Sequence, residues 1–147
     1  MTAKRKPVSP EAAAQHEADV ALAGRFDDLF AQAQEAEQAL RDAQANGASL
    51  EELHGAGKRL DSALTDVMRA AFAAQRAEIG PLGYDDRIYR RKAMATSPVR
   101  AWTMEAERLL TLRESHRLTG IVRLPYQAVA APGTAASPAT ARSRVAG

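Results

Sequence analysis

Apolar residues recur at helical spacing along two stretches of the chain, on either side of a short break at residues 46–49. The first stretch repeats at intervals of three and four at Leu22, Phe26, Leu29, Ala33, Ala36, Leu40 and Ala43. The second repeats in the same way at Leu50, Leu53, Gly57, Leu60, Leu64, Val67 and Ala71. Such stripes are typical of helices that bury one face against another helix. We therefore predict two long helices whose stripes, together called the seam, face each other.

The seam fits a single antiparallel pairing. If the chain folds back at Gly47, the numbers of two facing residues always sum to 93, from Ala43 opposite Leu50 to Leu22 opposite Ala71. Large residues then face small ones in most layers, which favours close packing. The sequence thus predicts a coiled-coil-like hairpin that needs no second chain to cover its seam.

Capping signals place the ends of these helices. Residues 9–11 (Ser-Pro-Glu) are a helix start, and we expect the first helix to run from there to about Ala45, where Asn46 and Gly47 end it. Residues 49–52 (Ser-Leu-Glu-Glu) have the form of a capping box that opens the second helix, which ends at residues 80–81 (Gly-Pro).

A third helix is predicted between a start at Ser97 and Pro98 and a stop at Gly120. Its apolar residues are expected to cover the side of the second helix that the seam leaves free, and Trp102 among them is expected in the core. The free side carries Met68, Phe72 and Ile79, next to Val20 and Phe30 of the first helix. The predicted class is all-α, with three main helices.

The chain accordingly divides into four segments. We predict a basic N-terminal tail at residues 1–8, the helical hairpin at 9–80, a basic segment at 81–126 and a low-complexity tail at 127–147. The basic segment holds a short helix over Tyr84–Lys92, the third helix, and a short extended piece at Ile121–Leu124. Both tails are expected to be flexible or extended, since they lack a periodic apolar pattern.

Two helices and a tight turn resemble, in outline, the small hairpins exported by type VII secretion systems. Those proteins carry Trp-x-Gly in the turn, where this chain has Asn46-Gly47-Ala48-Ser49. The turn therefore assigns the chain to no family.

Composition narrows the classes of function. The 147 residues include no Cys, which excludes a disulfide framework, thiolate catalysis and a Cys-ligated zinc site. The hydrophobic fraction of 46% contains 33 alanines, so the core is smaller than that fraction suggests. No apolar stretch approaches the roughly 20 residues of a membrane span. We expect a protein of the cytoplasm or of a virion, without a membrane partner.

The net charge of +2 conceals an uneven distribution. Residues 9–47 hold eight acidic and two basic side chains, whereas residues 81–126 hold nine basic and five acidic ones. Such asymmetry suits head-to-tail association between proteins as well as it suits binding of a polyanion.

The basic segment contains the candidate contact residues. Arg87, Arg90 and Arg91 share one helical face, and Tyr89, Lys92 and Arg100 lie nearby in sequence. Guanidinium groups clustered in this way bind phosphates bidentately, and tyrosine rings stack on bases, so nucleic-acid binding is one interpretation. The alternatives are a solvated basic face or one that binds an acidic protein surface, and the short length of the cluster favours these.

No pattern indicates catalysis, a cofactor or a metal. Gly57-Lys58 lacks the earlier glycine and the following Ser or Thr of a phosphate-binding loop. His16, His54 and His116 are scattered and form no ligand pair, so we expect them on the surface.

These observations favour a non-enzymatic helical structural or adaptor protein. We expect it to act through protein–protein contacts with neighbouring subunits of a larger assembly, for example a phage virion or a connector complex, and without a small-molecule substrate. The alternative is a nucleic-acid-binding accessory protein that uses the basic residues from Arg87 to Arg100.

Overall fold

The computed structural model describes residues 7–120, and all regular structure in that range is helical. The elements are α1 (Pro10–Ala23), α2 (Phe26–Ala45), α3 (Leu50–Ile79), α4 (Leu82–Asp85), α5 (Arg87–Ala93) and α6 (Ser97–Thr119). The all-α prediction is therefore confirmed for this part of the chain. The predicted extended piece at Ile121–Leu124, the tail at 127–147 and residues 1–6 lie outside the described residues.

The long helix α3 is the centre of the fold, because α1, α2 and α6 all pack against it. Leu64, Val67 and Ala71 of α3 are completely buried. They belong to one hydrophobic cluster with apolar residues of α2 and α6. Burial of apolar side chains is the main favourable term in folding, so the contacts of α3 with the other helices are central to the stability of the fold.

Most of the predicted seam positions lie in this cluster. Those that are buried are Phe26, Leu29, Ala33, Leu40, Leu60, Leu64, Val67 and Ala71, and those half-buried against them are Leu22, Ala36 and Leu53. The prediction was wrong for Leu50, whose side chain is 86% exposed. Leu50 is the first residue of α3, and the cluster ends one turn further into the helix, so nothing covers it.

α6 packs along α3, as expected of the third helix. Trp102 is 2% exposed, and its ring meets the ring of Phe26 edge-on with 5.0 Å between centroids. α6 therefore reaches α2 through this aromatic pair as well as covering α3. Val20 is predicted to lie next to the side of the second helix that the third helix covers, but its side chain is 47% exposed.

The predicted continuous first helix is interrupted at Gly24 and Arg25. The Gly24 amide still bonds the Val20 carbonyl, but the Arg25 amide bonds Leu22, three residues back, so the turn tightens before α2 begins. Glycine is a poor helix former, which makes this the weakest point of the long apolar pattern. The interruption separates α1, which packs on α3 and α4, from α2, which packs on α3.

Asp86 divides the predicted short helix over Tyr84–Lys92 into α4 and α5. Its backbone is extended, and one carboxylate oxygen accepts hydrogen bonds from the Ile88 and Tyr89 amides, both at 3.0 Å. A side chain that caps the first amides of a helix fixes where that helix begins. The Asp86 cap thus sets the start of the basic helix α5.

Within residues 7–120, no helix combines the length and the apolar character that crossing a membrane requires.

Candidate functional site

The basic helix α5 stands apart from the rest of the described chain because none of its residues is buried. Arg87, Arg90, Arg91 and Lys92 are all exposed. No acidic side chain within residues 7–120 forms an ion pair with any of them. The helix therefore presents to solvent four positive charges that have no ion-pair partner within residues 7–120.

Three of these arginines line an open cleft between α5 and the C-terminal turns of α3, called here the basic cleft. Its volume is about 430 Å³, and its lining residues are Gln75, Arg76, Ile79, Arg87, Arg90, Arg91 and Met94. Ile79 is buried and Met94 is half-buried, so the cleft combines an apolar wall with guanidinium groups. That combination suits an anionic group that is attached to an apolar one.

Arg76 lines the cleft but is already occupied. Its Nε and one terminal nitrogen donate to the two carboxylate oxygens of Asp19 in α1, at 2.8 and 3.0 Å. The Tyr84 hydroxyl donates to the same carboxylate. Burial raises the pKa of Asp19, but the hydrogen bonds from Arg76 and Tyr84 outweigh this effect and hold the pKa below its ordinary value. Arg76 therefore helps to fix α1 onto α3 and is not free for a ligand.

The other polar wall residue is also engaged. The Gln75 side-chain amide donates to the Thr103 hydroxyl at 2.8 Å and to the Met94 sulfur at 3.7 Å. These contacts connect α3 to α6 and to the end of α5. Among the polar residues that line the cleft, Arg87, Arg90 and Arg91 are those whose side chains have no hydrogen-bond or ion-pair partner within residues 7–120.

Apolar and acidic groups flank the arginines. Ile88 is 70% exposed and Tyr89 is 41% exposed. Asp85 and Asp86 border a neighbouring depression that shares Arg87 and Arg91 with the cleft. Carboxylates beside the arginines repel a phosphate backbone, whereas a protein surface of mixed charge tolerates them.

The structure brings together some of the residues predicted as contacts. Arg87, Arg90 and Arg91 meet at the cleft, and Tyr89 and Lys92 are exposed on the same short helix. Arg100 is exposed on α6 and does not line the cleft, so the structure does not join it to this group. Sequence reasoning missed the cleft wall, because no spacing rule connects Gln75, Ile79 and Met94 across two helices.

His116 is the clearest correction among the titratable residues. It is 6% exposed instead of lying on the surface, and its Nε2–H donates to the Gly57 carbonyl at 2.9 Å. Its Nδ1 is buried without a partner in the described chain. The sequence spacing could have indicated this burial, because Trp102, Leu109 and His116 follow one another at intervals of seven on the buried face of α6.

The other two histidines differ from each other. His54 is exposed, as predicted, whereas His16 is half-buried with its Nε2 3.3 Å from the Ala77 carbonyl. Among residues 7–120, no three His, Asp or Glu side chains lie close enough to hold a metal ion together.

Comparison of the chain with protein-family models, with curated proteins and with solved structures finds no match.

Proposed function

We propose that this chain is a non-enzymatic helical adaptor that binds a protein partner through α5 and the basic cleft. α2 and α3 form an antiparallel hairpin in this proposal, paired along the seam, and serve as the scaffold that holds α5. Their four-residue connection and the burial of the seam residues in one cluster support that arrangement. The adaptor joins subunits of a larger assembly, of the kind found in a phage virion or a connector complex.

One observation carries the proposal: α5 exposes three unpaired arginines next to large apolar side chains. Protein interfaces are enriched in arginine and in aromatic residues, and a partner with acidic and apolar groups would cover both kinds of side chain. Arg87, Arg90 and Arg91 would then bind carboxylates, while Ile88 and Tyr89 would bury apolar surface against the partner.

The second candidate is nucleic-acid binding, which the arginine spacing and the exposed Tyr89 also favour. It differs from the adaptor function in its response to salt, since log affinity for a nucleic acid falls with log salt in proportion to the phosphates contacted. Asp85 and Asp86 beside the cleft disfavour this alternative, because they would repel the phosphates.

Binding of defined probes separates the two functions. Fluorescence anisotropy of the full chain would compare a peptide of Glu and Leu residues with a single-stranded oligonucleotide of equal charge, each over a range of salt. We expect the peptide to bind more tightly, and R87A/R90A/R91A to weaken binding at least about tenfold. The matched control is K58A/R59A/R69A, which removes three other exposed cations and should bind like the wild type.

Two outcomes would reject the adaptor function. Tighter binding of the oligonucleotide, with a salt slope that falls by roughly 0.7 for each arginine removed, would establish the nucleic-acid function instead. Binding of neither probe, or binding that R87A/R90A/R91A leaves unchanged, would show that α5 is a solvated basic face.

A further inference from the structure

The basic cleft suits an acidic occupant, and the same chain carries exposed carboxylates. Glu17 of α1 and Asp27, Asp28 and Glu35 of α2 are all exposed. None of them forms an ion pair within residues 7–120. Val20, exposed at 47%, lies one helical turn from Glu17 and adds an apolar side chain to this surface. These five residues lie on α1 and on the first half of α2, and the surface that these two segments expose is called the acidic face.

The acidic face and the basic cleft complement each other in two respects. Carboxylates without partners stand on one, and guanidinium groups without partners stand on the other. An exposed valine accompanies the carboxylates, and Ile79 and Met94 form the apolar wall between the arginines. Opposite charges around apolar contacts are the arrangement that protein interfaces use to fix partner and orientation.

The two surfaces do not satisfy each other within one molecule, because the arginines of α5 have no acidic partner in the described chain. We propose that the basic cleft binds the acidic face of a second copy of this chain. This inference rests on the proposed adaptor function and names the partner of the same site.

Such a contact is heterologous, because it joins two different surfaces. Each copy keeps a free cleft at one side and a free acidic face at the other, so further copies add head to tail. The product is a ring if the rotation between copies closes, and otherwise an open filament. Because the contact relies on exposed charges, salt weakens it.

Charge reversal on the full chain tests the proposal by sedimentation velocity at low and high salt. The wild type is expected to self-associate at low salt and to dissociate at high salt. R87E/R90E/R91E reverses the cleft and D27K/D28K/E35K reverses the acidic face, and each variant alone is expected to be monomeric. An equimolar mixture of the two should associate again, because each reversed surface then finds its complement on the other chain.

The matched control is K58E/R59E/R69E, which changes the net charge as much as reversal of the cleft does and leaves both surfaces intact. It is expected to associate like the wild type to within about threefold, since scattered surface charges contribute little. Circular dichroism would confirm that every variant keeps its helices. A reversal variant that lost them would be replaced by R87A/R90A/R91A or D27N/D28N/E35Q, for which the same loss of association is expected.

Several results would overturn the inference. A wild type that stays monomeric at millimolar concentration and low salt would do so, as would association that survives either reversal or that does not return on mixing. If the chain stays monomeric but still binds the Glu–Leu peptide through the same arginines, the partner of the cleft is an acidic protein other than a second copy of this chain. That result would support the adaptor function and reject the proposed self-association.

Discussion

Asp19 is the residue through which α1 is most firmly attached to the rest of the fold. Its carboxylate is 13% exposed and accepts hydrogen bonds from Arg76 of α3 and Tyr84 of α4, so one side chain joins three helices. The pKa of Asp19 is lowered in the folded state. Its contribution to stability is therefore complete above the pKa of the unfolded chain and is lost as the pH falls through the folded pKa.

Asp19→Asn is expected to lower the free energy of unfolding by about 1–2 kcal/mol at neutral pH, because it removes the charge that both donors stabilise. The difference between wild type and variant should shrink as the pH falls below about 4, because the Asp19 carboxylate of the unfolded chain binds a proton there. It should vanish once the pH lies below the lowered pKa of the folded state. Urea unfolding at several pH values measures this. Asp66→Asn, at an exposed position of α3, is the control. A difference in free energy of unfolding between wild type and Asp19→Asn that does not change with pH would contradict the prediction.

His116 is a second residue whose role follows from one hydrogen bond. Its Nε2–H bonds the Gly57 carbonyl and so joins the C-terminal turns of α6 to α3. We expect His116→Ala to lower the free energy of unfolding by about 1–3 kcal/mol, from the lost hydrogen bond and the cavity. His116→Gln keeps an N–H donor and should lose less than half as much.

Urea unfolding of the two variants, with exposed His54→Ala as the control, decides the role of His116. His54→Ala should change the free energy of unfolding by less than about 0.5 kcal/mol. If His116→Ala proved equally neutral, or if glutamine were no better than alanine, the hydrogen bond to Gly57 would contribute nothing measurable.

At the scale of the elements, the interruption between α1 and α2 is a point where stability can be gained. Gly24 has a φ of −64°, and an added Cβ would lie 3.4 Å from the Ala21 carbonyl oxygen, an ordinary contact. Gly24→Ala should therefore raise the free energy of unfolding by about 0.5–1 kcal/mol, through helix propensity and a less flexible unfolded chain.

The comparison for Gly24→Ala is the same substitution at Gly47, whose φ is +66° in the connection between α2 and α3. Alanine is strained in that conformation, so Gly47→Ala should lower the free energy of unfolding by about 1 kcal/mol. If the backbone angles govern the outcome, thermal and urea unfolding will show a higher free energy of unfolding for Gly24→Ala and a lower one for Gly47→Ala. A loss of stability in Gly24→Ala would show that the interruption requires glycine.

The same elements show how far the sequence determines the fold. Helix ends at Ser9, Ser49 and Gly120 could be predicted because a capping side chain or a left-handed glycine is a local signal. The burial of Leu60, Leu64 and Val67 followed from their spacing. The exposure of Leu50 could not be predicted in this way, because it depends on whether a neighbouring helix covers the position. Gly24 was a visible weak point of the first helix, but its presence alone did not show that the helix is interrupted there.

The candidate site likewise contains features that local sequence spacing predicts and features that depend on contacts between helices. The arginines of α5 could be found from their spacing, because they share one short helix. The apolar wall of the basic cleft and the occupation of Arg76 by Asp19 depend on contacts between residues 57 positions apart or between separate helices. His116 occupies an intermediate place, since its interval from Leu109 indicated burial but no pattern indicated its bond to Gly57.

At the scale of the whole molecule, α3 and α5 are opposite extremes of burial. α3 contacts three long helices and contains ten buried residues, whereas α5 contains none. Local opening costs least where few apolar contacts are broken. The fold therefore combines a buried centre with an exposed basic helix whose first amides are capped by Asp86.

Amide hydrogen exchange followed by mass spectrometry should reveal this gradient. We expect the amides in the buried part of α3, from Leu60 to Ala77, to exchange only through global unfolding. Those of α5 should exchange fastest among the helices of residues 7–120, because α5 can open without exposing core. α1, whose only buried residues are Ala12 and Ala23, should exchange at an intermediate rate that Asp19→Asn accelerates. The same variant should leave the exchange of α6 almost unchanged, since no contact of Asp19 reaches that helix. Protection of α5 as strong as that of α3 would mean that the free chain already covers the basic helix, and the proposed site would then be closed to a partner.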